Sequence, residues 1–296
     1  MKKLFAGFTA LVFCALSVLL LSTPSYSITL SEIRARGELR HLGVPYARFA
    51  DNNADGLDCI LIRRFAEHLG VKYTFISTNW ENAISDLTGI TPYSPDQSPA
   101  ARPPKGDLLA NGFTILPQRE RFVLFSHPTF TAQVWLLAKA NADIQPITPT
   151  GNIQTDIEKT VAKTIGKTVY GIEKICIDVN LFPSLRQAAG SAENIPLHTF
   201  HQPLSFVTSE YNIFLMESPS ALMALGSWPY TFKIIGPVAK PQNMGVAFAK
   251  DSAELRDEFN RFFEQFWKSG EYQKLVNCYF PNSFIYFNKF FTKSSP

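Results

Sequence analysis

Cysteine is scarce in this chain, and the few present exclude a disulfide scaffold. There are four. Cys14 lies inside an apolar N-terminal run, which leaves Cys59, Cys176 and Cys278, an odd set with at least one unpaired thiol. A single Cys59–Cys278 bridge is the pairing left open. An excess of one charge is also missing. Lys and Arg number 28 against 25 Asp and Glu, a net +3, and loss of Lys2 and Lys3 with an N-terminal leader would leave 26 against 25, or +1. So even a balance provides no electrostatic footprint for nucleic acid or an anionic membrane surface. Glycine-rich phosphate loops, HExxH, CxxC and GxSxG motifs are absent, and no internal repeat is visible. His41, His68, His127, His198 and His201 are scattered without ligand spacing, so the sequence calls for no metal and no cofactor.

What is present begins with an export leader. Lys2 and Lys3 form a charged start, Leu4 to Leu21 is apolar without an acidic residue, and Ser25-Tyr26-Ser27 offers the small residues a signal peptidase reads. The competing reading is a membrane anchor, since the run is near the ~18-residue threshold for a span. The Ser/Thr/Pro-rich flank and the lack of a basic stop-transfer cluster favour cleavage near Ser27. Residues 1–27 are therefore expected to be a signal peptide and the mature chain a periplasmic monomer. Roughly 270 residues then remain, enough for two lobes or one large domain.

Along the mature chain the apolar pattern alternates between strand and helix. Glu38 to Val44 reads as a strand, Leu57 to Leu69 as a helix stopped by Gly70, Val71 to Ile76 as a strand and Trp80 to Leu87 as a short helix. This order predicts a parallel sheet flanked by helices. Gly89 to Lys105, rich in proline, reads as a loop within that unit. Val134 to Lys139 is a strand leading into a second set of elements: helix Ile153 to Ile165, strand Lys167 to Ile172, helix Phe182 to Ala189, strands Leu197 to Phe200 and Tyr211 to Met216, helix Ser218 to Leu225 and extended Phe232 to Ile235. Met244 to Ala249 reads as a return strand. Asp251 to Trp267 is the clearest amphipathic helix, with an Asp251/Glu254 capping-box spacing and an aromatic stripe. Glu271 to Tyr279 continues it, and the aromatic tail Phe284 to Phe291 is expected to dock on the surface.

The most informative stretch is GDLLANGFTILPQRERFVLFSHPTF, Gly106 to Phe130: a short strand, an Asn-Gly-Phe-Thr turn, one helical turn at Pro117 to Glu120 and a second strand. Arg119 stands just behind that turn. A guanidinium so placed can grip a carboxylate with two parallel hydrogen bonds. That suggests a small anionic or zwitterionic ligand; the alternative is a solvated surface arginine, which for a lone Arg is the stronger reading until the flanking pattern is weighed.

These pieces, in this order, resemble the extracytoplasmic solute-binding proteins of family 3, the polar amino-acid group that serves ABC importers. The similarity runs through Leu39 to Phe49, Gly56-Leu57-Asp58 with its helix, Trp80, the Gly106–Phe130 stretch, and GVAFAKDSAELRDEFNRFFEQFWKSGEYQKLVNCYFP near the C-terminus, together most of residues 30 to 281. The resemblance implies a two-lobe α/β fold of the type II, Venus-flytrap kind with two hinge strands. Lobe one would comprise residues 28–133 plus 245–296, and lobe two residues 134–244. It implies that Arg119 holds a ligand carboxylate shared with Thr114, Asn111 and the Gly112 backbone, that Tyr46, Trp80 and Phe49 form aromatic walls, and that Glu217 meets the ligand's ammonium. It further implies no catalytic residue, a small-molecule partner (amino acid or organic acid) and an ABC permease in the inner membrane.

Two positions depart from the family pattern. Where lobe two usually has Gly-Ser/Thr-Thr, this chain has Glu173-Lys174-Ile175-Cys176, which brings Cys176 into the site in place of hydroxyl donors. His127 stands where an aspartate commonly precedes proline. The carboxylate clamp is kept while the opposite half is rebuilt, which suits a larger or different acid. The rival expectation is a secreted dehydratase on the same scaffold, acting on a prephenate-like acid with Glu217 as general acid. A third is a sensor or binding module working without a transporter.

Overall fold

Thr29 caps the first described helix. Its hydroxyl accepts from the Glu32 backbone while the Glu32 carboxylate accepts from the Thr29 backbone at 2.7 Å, a reciprocal capping box that opens helix α1 (Leu30–Arg36). In the computed structural model, residues 28–92, 103–173, 175–196 and 209–296 are described. The expected leader, part of the proline-rich loop, and the Leu197 to Phe200 strand lie outside them.

From α1 the chain enters β1 (Glu38–Gly43), then α2 (Leu57–Leu69), β2 (Lys72–Ser77), α3 (Ala83–Thr88), β3 (Leu108–Leu109), α4 (Pro117–Glu120) and β4 (Val123–Phe125). With β12 (Ala247–Ala249) they make a five-stranded sheet in the order β2-β1-β3-β12-β4. β1 runs parallel to β2 and β3, but β12 is antiparallel to both β3 and β4, so the sheet is mixed and not purely parallel. The physical reason is connectivity: β12 returns from the other half of the molecule and enters from the opposite end. Asp107, buried at the start of β3, accepts from the Arg40 backbone at 2.8 Å and pairs with the Arg40 guanidinium, which fixes β3 against β1.

The second sheet has the order β10-β6-β9-β7-β8, built from β6 (Val134–Lys139), β7 (Thr168–Ile172), β8 (Ser191–Ile195), β9 (Ile213–Glu217) and β10 (Phe232–Pro237). Its helices are α5 (Ile153–Ala162), α6 (Pro183–Ala188) and α7 (Ser218–Ser227). Between the two sheets lies a two-stranded antiparallel ladder of β5 (Phe130–Ala132) and β11 (Gln242–Met244), the two hinge strands of a two-lobe fold. The return segment read as one strand, Met244 to Ala249, thus divides into the end of β11 and β12.

α8 (Ala253–Lys268), α9 (Glu271–Tyr279) and α10 (Ser283–Phe291) close the chain. The N-cap of α8 is Ser252 with no side-chain capping bond, so the expected Asp251/Glu254 box does not form. The aromatic tail is more than a surface ornament. Phe291, at 2% exposure, lies 5.4 Å from Phe130 of the hinge ladder, and Phe287 stacks at 6.1 Å on Trp135. Cys59, Cys176 and Cys278 are all free thiols, Cys59 buried and Cys278 exposed, which removes the Cys59–Cys278 bridge.

Candidate ligand-binding site

The turn behind β3 is built tightly. Gly112 has φ +68°, and a Cβ there would stand 2.5 Å from the Phe49 ring, so only glycine fits. Its N–H donates to the buried Asp58 carboxylate at 2.6 Å. Burial pushes that carboxyl up to about 7 against the pull of the Gly112 bond. The Phe113 carbonyl accepts from the Gly245 N–H at 3.0 Å, and the Ile115 N–H donates to the Asn243 carbonyl at 2.8 Å. The turn is therefore sewn to the hinge strand that follows it.

Arg119 rises from α4, whose first turn is set by Pro117. Its Nη1 donates to the Thr114 carbonyl at 2.9 Å, and its guanidinium lies 4.0 Å over the Phe113 ring. These two contacts hold the planar group at the turn. From there it acts electrostatically on Glu217 and Cys176, favouring the charged form of each.

Glu217 ends β9 and is the residue at which α7 begins, so its carboxylate lies where a helix N-terminus favours negative charge. It is 5% exposed. Burial raises its carboxyl pKa, while the Tyr46 hydroxyl, Arg119 and the Cys176 thiol pull it back. Tyr46 comes from the loop after β1, held by an N–H bond to Ala50 at 3.0 Å, and its hydroxyl donates to Glu217. Ser220, in the first turn of α7, stands 3.4 Å from the same phenol oxygen. Burial, then the Glu217 charge, pushes both the Tyr46 phenol and the Cys176 thiol well above their ordinary values. Cys176 reaches this group because Ile172 N–H closes the turn after β7 on the Ile177 carbonyl at 3.1 Å.

Of the residues singled out by sequence, the fold gathers Tyr46, Arg119, Cys176 and Glu217 into one cluster drawn from both lobes. Trp80 joins it edge-on to Tyr46 at 5.6 Å and stacks on Phe113 at 6.4 Å. Thr114 contributes its carbonyl to Arg119. Three residues sit elsewhere. Phe49 is fully buried against Phe130 and Phe280 and is core, not wall, because the tight Gly112 turn closes over it. The Gly112 N–H is taken by Asp58. Asn111 is fully buried with no hydrogen-bond partner for its side-chain amide among the described residues. Phe113 and Ser220 belong to the cluster but carry no pattern in the sequence that marks them. The one available signal for Phe113 is its place two residues after Asn111 in the turn already read as important. His127 lies away from the cluster, its N–H bonded to Asn260 at 2.8 Å.

Among the described residues no three His, Cys, Asp or Glu side chains are grouped to hold a metal ion, and no helix is long and apolar enough to cross a membrane.

A membrane-bound lytic murein transglycosylase F of Desulfosudis oleivorans is 25% identical over 76% of this chain, which spans only 44% of that relative's length. The histidine-binding periplasmic protein of Salmonella typhimurium is 23% identical over 79% of this chain and 84% of its own. Among solved structures, an ancestral amino acid-binding protein described as a precursor of cyclohexadienyl dehydratase superposes with a TM-score of 0.61 at 24% identity, covering 85% of this chain and 98% of that one. The family model for bacterial extracellular solute-binding proteins, family 3, matches residues 95–282, from before the Arg119 turn through both hinge strands to the end of α9. With two sheets joined by that ladder and a polar cluster between them, this chain belongs to the bacterial extracellular solute-binding proteins of family 3.

Proposed function

We propose that this chain captures a small carboxylate-bearing ligand, an amino acid or a related acid, between lobe one (residues 28–133 and 245–296) and lobe two (residues 134–244), and delivers it to an ABC importer. The observation that carries this is the pairing of opposite charges from opposite lobes: Arg119 at the β3 turn and Glu217 at the end of β9, joined by Tyr46 and Cys176. The guanidinium is complementary to a carboxylate, and Glu217 to an ammonium. A zwitterion touching both is held best when the lobes are together, so closure is driven by the ligand's preference for that state. Tyr46 and Trp80 flank the ligand, and Cys176 replaces the hydroxyl donors usual at that turn. The protein works as an exported periplasmic monomer, its leader removed near Ser27, and it performs no chemistry on what it binds.

A dehydratase acting on a prephenate-like acid is the second reading. One observation favours it: a buried carboxyl whose pKa is raised by burial beside an arginine is poised as a general acid.

A thermal-shift screen of the mature protein against amino acids and organic acids, with prephenate turnover assayed alongside, separates the two. A shift that vanishes in Arg119→Ala, with no product formed, supports capture. Turnover that is lost in Glu217→Gln would overturn it.

A further inference from the structure

Beside the polar cluster lies a cavity of about 410 Å³ that the cluster itself does not use. Leu116 and Gln118 of the α4 region line one side, so the short segment that aims Arg119 at the cluster also walls this space. On the far side stand Ile157 and Val161 of α5, Phe182 and Val238. Cys176 borders both spaces: its thiol is close enough to Glu217 to favour the charged carboxylate, and it is among the residues that line the cavity. Cys176 is thus the one residue that the cluster and the described lining of this cavity share.

The chemistry of the wall selects the occupant. No Asp, Glu, Lys, Arg or His is among the described residues that line it. Its polar side chains are the neutral Gln118, Ser184 and Gln242, so a cationic side chain placed there would find no opposite charge, whereas an apolar one would gain from covering Ile157, Val161, Phe182 and Val238. At about 30 Å³ per water-sized group, the space holds on the order of a dozen non-hydrogen atoms.

We infer that the ligand carries a neutral apolar tail, seated in this cavity beyond Cys176, in addition to the head group held at Arg119 and Glu217. This rests on the carboxylate reading of Arg119 and narrows it: the preferred ligand class is a long-chain or aryl amino acid or acid, and basic amino acids are disfavoured.

Calorimetric titration of the mature protein with straight-chain 2-amino acids, from alanine to 2-aminodecanoate, tests this, with lysine and arginine as cationic comparisons. The expected result is a gain of about fourfold in affinity per added methylene until the cavity is full, with arginine at least tenfold weaker than a neutral chain of similar length. Val161→Trp, which fills the cavity, should compress the series so that 2-aminodecanoate binds no better than alanine. Ala239→Phe, from another wall, repeats the test should the tryptophan variant fail to fold. Arg119-dependent binding that is flat with chain length, tighter for arginine, or equally chain-dependent in the filled variants overturns this inference and leaves the capture function standing. Failure of every probe to bind overturns both.

Discussion

The Tyr46 hydroxyl donates to the Glu217 carboxylate from one lobe to the other, and the two residues are 171 positions apart in the chain. Neither is in contact through its backbone element: Tyr46 hangs from the loop after β1, and Glu217 closes β9. Tyr46→Phe removes the donor and leaves a buried carboxylate short of a partner. We expect a loss of about 1–3 kcal/mol, read as a lower urea midpoint, together with a further rise in the Glu217 pKa. An unchanged midpoint would show that the contact carries no stability.

Two buried groups behind the site oppose each other in pH. Asp58, raised from 3.8 to about 7, stays protonated in the fold where the unfolded chain has released its proton. Its contribution is therefore present at low pH and is lost as pH rises through that window. His41, buried with Nε2 at 2.6 Å from the Ala110 carbonyl and lowered from 6.5 to about 4, behaves in the opposite sense. Its contribution is present above 6.5 and is lost as pH falls toward about 4. Each contributes a slope of about 1.4 kcal/mol per pH unit within its window, so they largely cancel between about pH 4 and 6.5. Glu217, also raised, adds to the Asp58 side. Asp58→Asn keeps an acceptor for Gly112 but removes one of the two opposing slopes. The difference in unfolding free energy between variant and wild type should change by about 1.4 kcal/mol per unit over that range, and a constant difference contradicts the assignment.

The thiols should differ in reactivity. Cys278 is exposed, Cys59 is buried with its thiol pushed up to about 12, and Cys176 is raised by burial and by Glu217. Since the thiolate is the reactive form, native protein should take up one equivalent of iodoacetamide at Cys278 before the others react. Peptide mass mapping checks this, and prompt labelling of Cys176 would contradict its place in the cluster.

The C-terminal aromatic helix should behave as core. Phe291 packs on Phe130 of the hinge ladder, and Trp267 stacks on it from α8 at 6.5 Å. Phe291→Ala should cost about 3–5 kcal/mol, seen as a large drop in the thermal midpoint. A drop no larger than that of an exposed substitution such as Ile285→Ala would mean that the tail is merely resting on the surface.

Much of this was legible in the sequence where physics is local. Gly70 stops α2, the aromatic stripe marks α8, and Gly106 to Phe130 shows its turn in the residues and its arginine's importance through the family resemblance. What was not legible depends on contacts between distant segments. Phe49 and Trp80 are both aromatic residues near loops, yet only the fold shows Phe49 closed under Gly112 and Trp80 turned toward Tyr46. The mixed direction of the first sheet likewise depends on where β12 re-enters, which no local pattern encodes. Asp251 has the right neighbour for a capping box, but Ser252 takes the cap, since one residue of slip is invisible to spacing rules.

The central claim is that Arg119 grips a ligand carboxylate between the lobes. Calorimetric titration of wild type and Arg119→Ala, with whichever amino or organic acid gives the largest thermal shift, tests it most directly. Loss of one charge-assisted bidentate pair should weaken binding by about 2–3 kcal/mol, on the order of a hundredfold, with the fold intact by circular dichroism. Equal affinity in the two proteins would contradict it.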